Sequence, residues 1–298
     1  MAVARTFSAL AIAAAATAFG PAVAGATYPG RNGEIVFHSS RPPASGWAMD
    51  PDGGNKRLLM RDPADHAYGG FRADGRRYVF WSCRHDDCGL YVMHADGSHV
   101  RRVPGGPTAA VAPRFGPDGK RIVYELDGSI HLIGADGRHP RSLGPGRLPD
   151  FSPGGRWIAY DGEDGHIRLV HPDGSGRRRV MPGLKYELGP SFSPDGRRIA
   201  FLAEAADGWL QLFVMDVDGT HVRRLTGAHG GISSAVFSPD GRRIAFSRSR
   251  GGDPDTNWDV YVIDADGTHV RRLTRAPTVE LPADWRPLPA PGWRRLAR

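Results

Sequence analysis

The chain is poor in cysteine and in long apolar segments. Only 2 of its 298 residues are cysteines, which excludes the disulfide-dense scaffolds of small secreted domains. After the N-terminal segment, no stretch approaches the roughly 18 consecutive apolar residues that a membrane-spanning helix needs. A Gly-x-Ser-x-Gly elbow, a His-Glu-x-x-His pair and a phosphate-binding loop are also missing from the sequence. These absences weigh against a membrane protein and against the common motif-bearing hydrolases.

The N-terminal segment has the organisation of a secretory signal peptide. A weakly basic start, Met1–Arg5, precedes an Ala-rich apolar run from Phe7 to Phe19, and small-x-small cleavage sites follow at residues 22–24 and 24–26. The run is too short for a permanent transmembrane helix, and an ordinary N-terminal helix is the alternative. We therefore predict a signal peptide at residues 1–26, no transmembrane segment in the mature protein, and export to the periplasm or the extracellular space.

Export determines how the two cysteines are interpreted. Cys83 and Cys88 enclose four residues between two strand-like runs. In an oxidising compartment, a disulfide that closes this loop is the expected state, with free thiols as the first alternative. A zinc site would need at least two further ligands nearby, and the spacing matches no standard zinc pattern.

Glycine and proline are abundant, with 40 and 25 residues respectively. This composition weighs against a helical protein and favours many short strands joined by tight turns. The net charge is +7, but the arginines are spread along the chain and are not gathered in one basic patch. We therefore expect no nucleic-acid partner, and we expect an exported protein to meet anionic components of the cell envelope first.

One ten-residue motif recurs along the chain. Its first copy, Phe71–Phe80, reads Phe-Arg-Ala-Asp-Gly-Arg-Arg-Tyr-Val-Phe. Further copies occupy residues 115–124, 151–160, 192–201 and 237–246, and a degenerate copy starts at Trp285. Successive copies start 36 to 48 residues apart, close to the period of roughly 40–45 residues that is typical of four-stranded propeller blades. Each copy contains the end of one strand, a turn with glycine at its left-handed position, and the start of the next strand.

A second motif, an Asp-Gly turn followed by a basic run with an apolar tail, is present six times. Its Asp-Gly pairs are residues 52–53, 96–97, 136–137, 173–174, 218–219 and 266–267. The chain ends are complementary, because residues 33–37 read as a second strand without a first and residues 282–287 read as a first strand without a second. Together they would complete one blade and leave no open sheet edge.

We therefore predict an all-β fold, a six-bladed β-propeller of four-stranded blades. One C-terminal strand and three N-terminal strands form the blade that closes the ring. The propeller is expected to span residues 27–288 as a monomer, followed by a C-terminal tail at residues 289–298.

These repeats resemble those of the TolB-like propeller family. The resemblance is carried by residues 192–201 (Phe-Ser-Pro-Asp-Gly-Arg-Arg-Ile-Ala-Phe), residues 212–219 (Leu-Phe-Val-Met-Asp-Val-Asp-Gly) and residues 223–226 (Arg-Arg-Leu-Thr). The opening Tyr-Pro-Gly-Arg-Asn-Gly at residues 28–33 is similar to the start of stand-alone secreted members of the family. The resemblance implies a six-bladed propeller and an envelope role of the kind that TolB has in the Tol–Pal system, where it pairs with a lipoprotein. TolB also carries an α/β domain before its propeller, and we expect that domain to be absent here, since few residues separate the predicted signal peptide from the first strand.

The strand order divides the connections between two faces. Turns between first and second strands and between third and fourth strands lie on one face, which we call the regular-turn face. All other connections lie on the opposite, variable face, and loops carried by a rigid scaffold commonly bind partners. Our candidate binding residues on the variable face are His66, Tyr68, Arg84, His85, Trp209 and His229. The candidates that border the central channel are Arg114, Asp150 and Asp284.

The segment that starts at Asp253 resembles the opening of a calcium loop. Asp253, Asp255 and Asn257 offer oxygen ligands at alternating positions, but the glycine at the sixth position and the glutamate at the twelfth are missing. Pro254 and the strand that starts at Val260 fit a hairpin loop. We therefore expect a structural loop, with Ca²⁺ as the weaker alternative, and we expect no other metal, no cofactor and no catalytic residue.

Two main functions are compatible with this sequence, and a small-ligand sensor is a third alternative. The first is a non-enzymatic scaffold that binds a protein or an anionic envelope component through its variable face. The second is a propeller enzyme of the lyase or lactonase type, acting on carbohydrate or lactone substrates at the channel mouth, because such enzymes assemble their sites from separate blades. Three or more converging His, Asp or Glu side chains at the mouth would favour the enzyme, whereas an apolar and arginine-rich face would favour the scaffold.

Overall fold

The fold is seen in a computed structural model. It describes residues 27–40, 45–61, 69–84, 87–180, 183–227, 230–250, 257–275 and 277–289, without the side chains of Arg61 and Arg84. The predicted signal peptide at residues 1–26 lies outside these ranges, as do residues 290–298 of the predicted tail. Both stay predictions.

Twenty-four strands make up the described part of the chain. The first twelve are β1 (Arg31–Ser39), β2 (Ser45–Met49), β3 (Arg57–Arg61), β4 (Gly69–Phe71), β5 (Arg77–Arg84), β6 (Asp87–His94), β7 (Arg101–Arg102), β8 (Val111–Phe115), β9 (Arg121–Leu126), β10 (Ser129–Gly134), β11 (Arg141–Pro145) and β12 (Arg147–Phe151). The others are β13 (Ile158–Asp161), β14 (Ile167–Val170), β15 (Arg178–Arg179), β16 (Lys185–Phe192), β17 (Arg198–Glu204), β18 (Leu210–Asp216), β19 (Arg223–Arg224), β20 (Ile232–Phe237), β21 (Arg243–Ser249), β22 (Trp258–Asp264), β23 (Arg271–Arg272) and β24 (Glu280–Leu288).

These strands form six antiparallel sheets of four strands each. Blade 1 has the order β24-β1-β2-β3, and blades 2 to 6 follow in chain order as β4–β7, β8–β11, β12–β15, β16–β19 and β20–β23. The first strand of each blade is the innermost, and each inner strand contacts the inner strand of the next blade, including β24 with both β20 and β4. The predicted six-bladed, all-β propeller is therefore confirmed.

The ring closes in blade 1, where the two ends of the propeller pair. Strand β24 runs antiparallel to β1, with Trp285 opposite Ile35 and Asp284 opposite Val36. Trp285 is fully buried, and its indole Nε1 donates a hydrogen bond of 2.9 Å to the carbonyl oxygen of Gly33. The pairing gives both strands a partner on their hydrogen-bonding edges, as the complementary ends of the sequence predicted.

The apolar core lies between neighbouring blades. The aromatic residue that opens each copy of the first motif is buried, as seen for Phe71, Phe115, Phe151, Phe192, Phe237 and Trp285. In one cluster, Phe192 and Phe201 of blade 5 pack against Ile167 and Leu169 of blade 4. The motif repeats its aromatic residue because every interface between blades needs a large side chain to remove apolar surface from water.

The regular turns explain the polar part of the first motif. In the turn after β16, the N–H of Gly196 donates to the carbonyl of Ser193 at 2.8 Å, and Gly196 has a φ of 70°. The carboxylate of Asp195 accepts the Ser193 hydroxyl and the backbone N–H of Arg197. The Ser-Pro-Asp-Gly sequence therefore forms a closed turn whose glycine occupies the left-handed region.

The predicted disulfide is confirmed. Cys83 and Cys88 lie opposite each other in the β5–β6 hairpin and are bonded through their sulfur atoms. The described residues form strands and turns, and none of them belongs to a helix long and apolar enough to span a membrane.

Replacing Trp285 with alanine is expected to lower the free energy of unfolding by about 3–5 kcal/mol, because a large buried side chain and its indole hydrogen bond are lost from the closing blade. Urea denaturation measures this change. The matched control is Trp81→Ala, since Trp81 is only partly buried and its indole donates to Thr108 at 3.1 Å. Equal losses in the two variants would contradict a special role for the closing blade.

Candidate functional site

The regular-turn end of the central channel is closed by Thr27 and Tyr28. Tyr28 is 3% exposed, and its hydroxyl donates a hydrogen bond to the carbonyl oxygen of Phe115 in blade 3. The hydroxyl of Thr27 donates to the carbonyl oxygen of Phe237 in blade 6. Blades 3 and 6 are opposite each other in a ring of six, so the two residues cross the channel axis and block it.

Three of the predicted channel residues lie next to this plug. Arg114, Asp150 and Asp284 come directly before the buried aromatic residues of their inner strands, and all three are buried. The carboxylate of Asp284 in blade 1 accepts the N–H of Phe71 in blade 2 at 2.6 Å. The carboxylate of Asp150 in blade 4 accepts the N–H of Phe192 in blade 5 at 2.9 Å. Each carboxylate thus joins its inner strand to the next blade.

Burial controls the protonation of Asp284 and Tyr28 at this end of the channel. It raises the pKa of Asp284 to about 7, against the opposing effect of the nearby Arg114 guanidinium. The pKa of the Tyr28 hydroxyl is raised well above its ordinary value, first by burial and then by the carboxylates of Asp150 and Asp284. Tyr28 therefore keeps its proton at neutral pH and stays a hydrogen-bond donor to blade 3.

The opposite end of the channel has a different surface. We define the variable-face mouth as Val111, Arg147, Lys185 and Tyr186, which begin the inner strands of blades 3, 4 and 5. All four are exposed, and the exposed fractions of the two apolar side chains are 42% for Val111 and 51% for Tyr186. Aromatic and apolar side chains beside cations are typical of protein-binding surfaces.

The backbone is strained at this mouth. Ala112 and Leu148 each lie three residues before the buried phenylalanine of their inner strand, in blades 3 and 4, and their φ angles of 55° and 50° lie in the left-handed region. In blade 5 the matching residue is Gly189, with a φ of 62°, and Tyr186, with a φ of 50°, lies in a second bulge nearer the start of the same strand. A non-glycine residue in this region costs about 1–2 kcal/mol. The pairing of each inner strand with its second strand is shifted at the same place. These bulges end the regular pairing and turn the backbone at the mouth.

Buried and half-buried carboxylates stabilise these bulges by accepting hydrogen bonds from backbone N–H groups. Glu125 accepts the N–H of Leu148 at 3.1 Å, and Asp161 accepts the N–H of Gly189 at 2.8 Å. Glu187, the residue after Tyr186, is buried and accepts hydrogen bonds from backbone N–H groups at 3.1 and 3.3 Å. Each carboxylate supports a strand that enters the mouth.

The carboxylates of Glu125 and Asp161 are also electrostatically coupled. Burial raises the pKa of both, the negative charge of Glu125 further raises that of Asp161, and the guanidinium of Arg147 lowers both. A buried carboxyl with a raised pKa is a feature that a general acid in an enzyme would have. Both carboxylates, however, already accept backbone N–H groups. Within the described ranges, no three His, Cys, Asp or Glu side chains are grouped closely enough to ligate a metal ion.

Two tryptophans extend the variable face beyond the mouth. Trp209 and Trp258 are partly buried, and both lie within 3.5 Å of the position that a Cβ atom on Gly231 would occupy. Gly231 belongs to the connection from blade 5 to blade 6. The missing side chain at Gly231 therefore allows the two indoles to approach the same point between these blades.

Of the other predicted site residues, some are described by the structure and some lie outside the described ranges. The side chain of Trp209 is described, whereas Arg84 is described only as the backbone partner of Asp87 at the end of the β5–β6 hairpin. Asn257 has a φ of 68°, and its carbonyl accepts the N–H of Arg250 at 2.9 Å, which closes the hairpin before β22. The predicted binding residues His66, Tyr68, His85 and His229 and the calcium candidates Asp253 and Asp255 lie outside the described residues.

Arg147 and Tyr186 are not among the residues predicted from the sequence. Both lie at the ends of blade-to-blade connections, which are predicted to lie on the variable face. The available signal was a tyrosine between charged residues, Lys185 and Glu187, close before a copy of the first motif. The exposure and left-handed backbone of Tyr186 depend on the packing of two blades, and no linear pattern reports them.

Asp284→Asn is expected to remove part of the pH dependence of stability. The carboxyl titrates near pH 7 in the folded state and near pH 3.9 in the unfolded chain, so only the folded state keeps the proton between these values. The resulting stabilisation, at most about 4 kcal/mol, is complete below about pH 4 and is lost as the pH rises through about 7. Urea denaturation at about pH 5 and about pH 8 should therefore show a larger decrease for the unsubstituted protein than for the variant. Parallel decreases would refute this assignment.

Comparison with known proteins places the chain. A family model described as the TolB beta propeller domain matches residues 129–288. A protein TolB homolog of Chlorobium luteolum is 28% identical over 157 residues, which cover 48% of this chain and 35% of that protein. A tricorn protease homolog of Saccharolobus solfataricus is 30% identical over 126 residues, 38% of this chain and 10% of that protein. The chain thus spans about a third or less of the length of these two relatives.

Solved structures of TolB proteins have the same fold as this chain. TolB from Acinetobacter baumannii superposes with a TM-score of 0.74 at 17% identity, covering 86% of this chain and 67% of that one. A putative TolB from Agrobacterium tumefaciens has a TM-score of 0.65 at 22% identity, covering 83% of this chain and 90% of that one. At these identities the superpositions show the shared fold alone. Because the family model matches more than half of its residues, the chain belongs to the TolB beta-propeller family.

Proposed function

We propose that the protein is an exported, non-enzymatic scaffold that binds a protein partner of the cell envelope on its variable face, without a cofactor. The observation that carries the proposal is Tyr186, a half-exposed aromatic side chain on a left-handed backbone at the channel mouth. Strained residues persist where the surrounding structure imposes them, and they are concentrated at functional sites.

The backbone around Tyr186 is ordered before any partner arrives. The N–H of Glu187 donates to the carbonyl of Gly165 in blade 4 at 3.0 Å, while the Glu187 carboxylate lies 3.4 Å from the Nδ1 atom of His166. The Tyr186 ring lies 3.8 Å from the position of a Cβ atom on Gly165. A side chain on such a rigid support loses little conformational entropy on binding, which favours affinity.

The neighbouring residues have the chemistry of a protein-binding surface. Arg147 and Lys185 supply exposed positive charge at the mouth, and Trp209 and Trp258 supply partly exposed aromatic area towards blade 6. Tyrosine, tryptophan and arginine dominate the binding energy of protein interfaces. We therefore assign the contact area to blades 4, 5 and 6, and we expect the partner to present an acidic rim and an apolar centre.

The enzyme alternative has one supporting observation, the raised pKa values of Glu125 and Asp161. Against it, the Glu125 carboxylate accepts the N–H of Leu148 and the Asp161 carboxylate accepts the N–H of Gly189. Both groups therefore have structural roles that account for their positions. Export is supported by the signal-peptide pattern of residues 1–26 and by the similarity to TolB proteins.

Photo-crosslinking in the cell of origin tests the scaffold. We expect p-benzoylphenylalanine at position 186 to give a discrete protein adduct, identified by mass spectrometry, because this side chain lies at the proposed centre of the interface. The same group at Val270, which is 49% exposed near the regular-turn face, is the matched control and should not give that adduct.

Affinity for the captured partner supplies the second measurement. Tyr186→Ala should weaken its binding about 30-fold, equivalent to about 2 kcal/mol, and Val270→Ala should leave it unchanged. Adducts that are identical at both positions, or a Tyr186→Ala protein that binds normally, would reject the proposed face.

A further inference from the structure

The turn between the third and fourth strands of blade 3 differs from its five counterparts. In each of the six turns, the N–H of the first residue donates to the carbonyl of the residue four positions later, and the glycine three positions later donates back to the first residue. The first residues of these turns are Asp50, His94, Gly134, His171, Asp216 and Asp264. Blade 3 alone has a glycine, and hence no side chain, at this place.

In the other blades this side chain has a partner within the turn or beside it. In several blades, the residue five positions after it has a left-handed backbone and directs its side chain back to it. The Nδ1 atom of His221 lies 2.8 Å from the carboxylate of Asp216, and that of His269 lies 2.8 Å from the carboxylate of Asp264. In blade 1, Asn55 donates to Asp50 at 2.7 Å. The rings of His94 and His99 stack in blade 2, and His171 stacks on Trp157 in blade 4.

His139 is the corresponding left-handed residue of blade 3, with a φ of 54°. Because residue 134 is glycine, it offers His139 no side chain of the kind that the other blades have there. The side chain of His139 makes no hydrogen bond or ion pair with any residue in the described part of the chain. The missing side chain thus leaves an imidazole without a polar partner among the described residues.

A cavity of about 610 Å³ lies beside this turn, on the regular-turn face of blade 3. Its volume is within the range of roughly 300–1,000 Å³ that small-molecule sites occupy. Leu132 and Ile133 of β10 and Ala135 after it are among the residues that line it, although the side chains of Leu132 and Ile133 are buried in the interfaces with the neighbouring blades. Its other walls come from the two regular turns of the blade, at residues 119–121 and 134–139, and from Arg141.

The walls of the cavity are strongly basic. Lys120, Arg121, Arg138 and Arg141 line it together with His139, against a single lining carboxylate, Asp136. Arg121 is already paired with Asp118 at 2.9 Å, and Arg141 donates to the carbonyl of Pro172. The side chains of Lys120 and Arg138 have no hydrogen bond or ion pair among the residues that the structure describes. At least two cations and one imidazole are therefore available to a ligand.

We propose that this cavity binds a phosphate ester. A phosphate group presents several acceptor oxygens and up to two negative charges, which matches separated lysine, arginine and histidine donors better than a single carboxylate does. The partly buried Ala135, which also lines the cavity, offers apolar contact to the carbon part of the ester. The site lies on the face opposite the variable-face mouth. The proposal of a phosphate-ester site can therefore be tested independently of the proposed protein interface.

Isothermal titration calorimetry with sn-glycerol 3-phosphate tests the site on the full-length mature chain. Lys120→Gln should weaken binding about tenfold, because one charge-assisted hydrogen bond is lost. Arg242→Gln is the matched control, since Arg242 is the equivalent exposed residue of blade 6, where the Asp264 side chain stands in place of the glycine. This control should bind the ester like the unsubstituted protein.

Gly134→Asp converts blade 3 to the arrangement of blades 5 and 6. The new carboxylate should pair with His139, occupy the cavity and abolish binding. The added Cβ atom would meet the Asp136 carboxylate, so that side chain must turn aside, and thermal unfolding checks that the variant folds. Arg138→Gln, at an exposed position, gives the same test without this steric demand, with a loss of about tenfold expected.

Vesicle sedimentation identifies the source of the phosphate. Binding to phosphatidylglycerol vesicles but not to pure phosphatidylcholine vesicles, with loss in Lys120→Gln and not in Arg242→Gln, assigns a lipid headgroup. Binding of glycerol phosphate alone with the same pattern assigns a soluble ester. Absence of binding in both assays, or equal losses in the Lys120→Gln and Arg242→Gln variants, would overturn the proposal.

Discussion

The antiparallel pairing of β24 with β1 is the constraint on which the rest of the structure depends. Every other blade is continuous in the chain, so it could form from local hairpins alone. Blade 1 forms only when residues about 250 positions apart meet, as Trp285 and Ile35 do. This long loop closure is entropically costly, and the buried indole of Trp285 and its hydrogen bond to Gly33 help to offset that cost. The positions of both faces and of the channel follow from the closed ring.

The closed ring gives the channel two unlike ends. At the regular-turn end, Thr27 and Tyr28 connect opposite blades, and the carboxylates of Asp150 and Asp284 bond adjacent ones, so polar groups there serve cohesion. At the variable end, buried carboxylates support bulged strands that expose Tyr186 to solvent. Both ends use the same device, a buried carboxylate that accepts backbone N–H groups. At one end it joins adjacent blades, and at the other it orders a surface.

Because the blades repeat, a residue that differs in one blade from its counterparts in the other five is informative. Six copies of one turn provide an internal comparison, because the same backbone geometry occurs with different side chains. In five copies the side chain at the start of the turn is satisfied locally, as in the pairs of Asp216 with His221 and of Asp264 with His269. Gly134 removes this partner in blade 3, in the lining of a basic cavity. The turn itself does not require glycine at this position, because the five other copies form with a side chain there. The difference in blade 3 therefore points to a ligand.

The sequence by itself determined the number of blades, the four strands in each, the closure by the two chain ends and the Cys83–Cys88 disulfide. These features follow from periodicity and from neighbours in the chain, which a linear pattern records. Only the tertiary structure decided that Tyr28 plugs one end of the channel, that Tyr186 is exposed at the other, and that the two regular turns of blade 3 enclose a basic cavity. Each depends on which side chains of different blades or turns meet. Burial, pKa and exposure come from that three-dimensional packing, and spacing along the chain does not encode them.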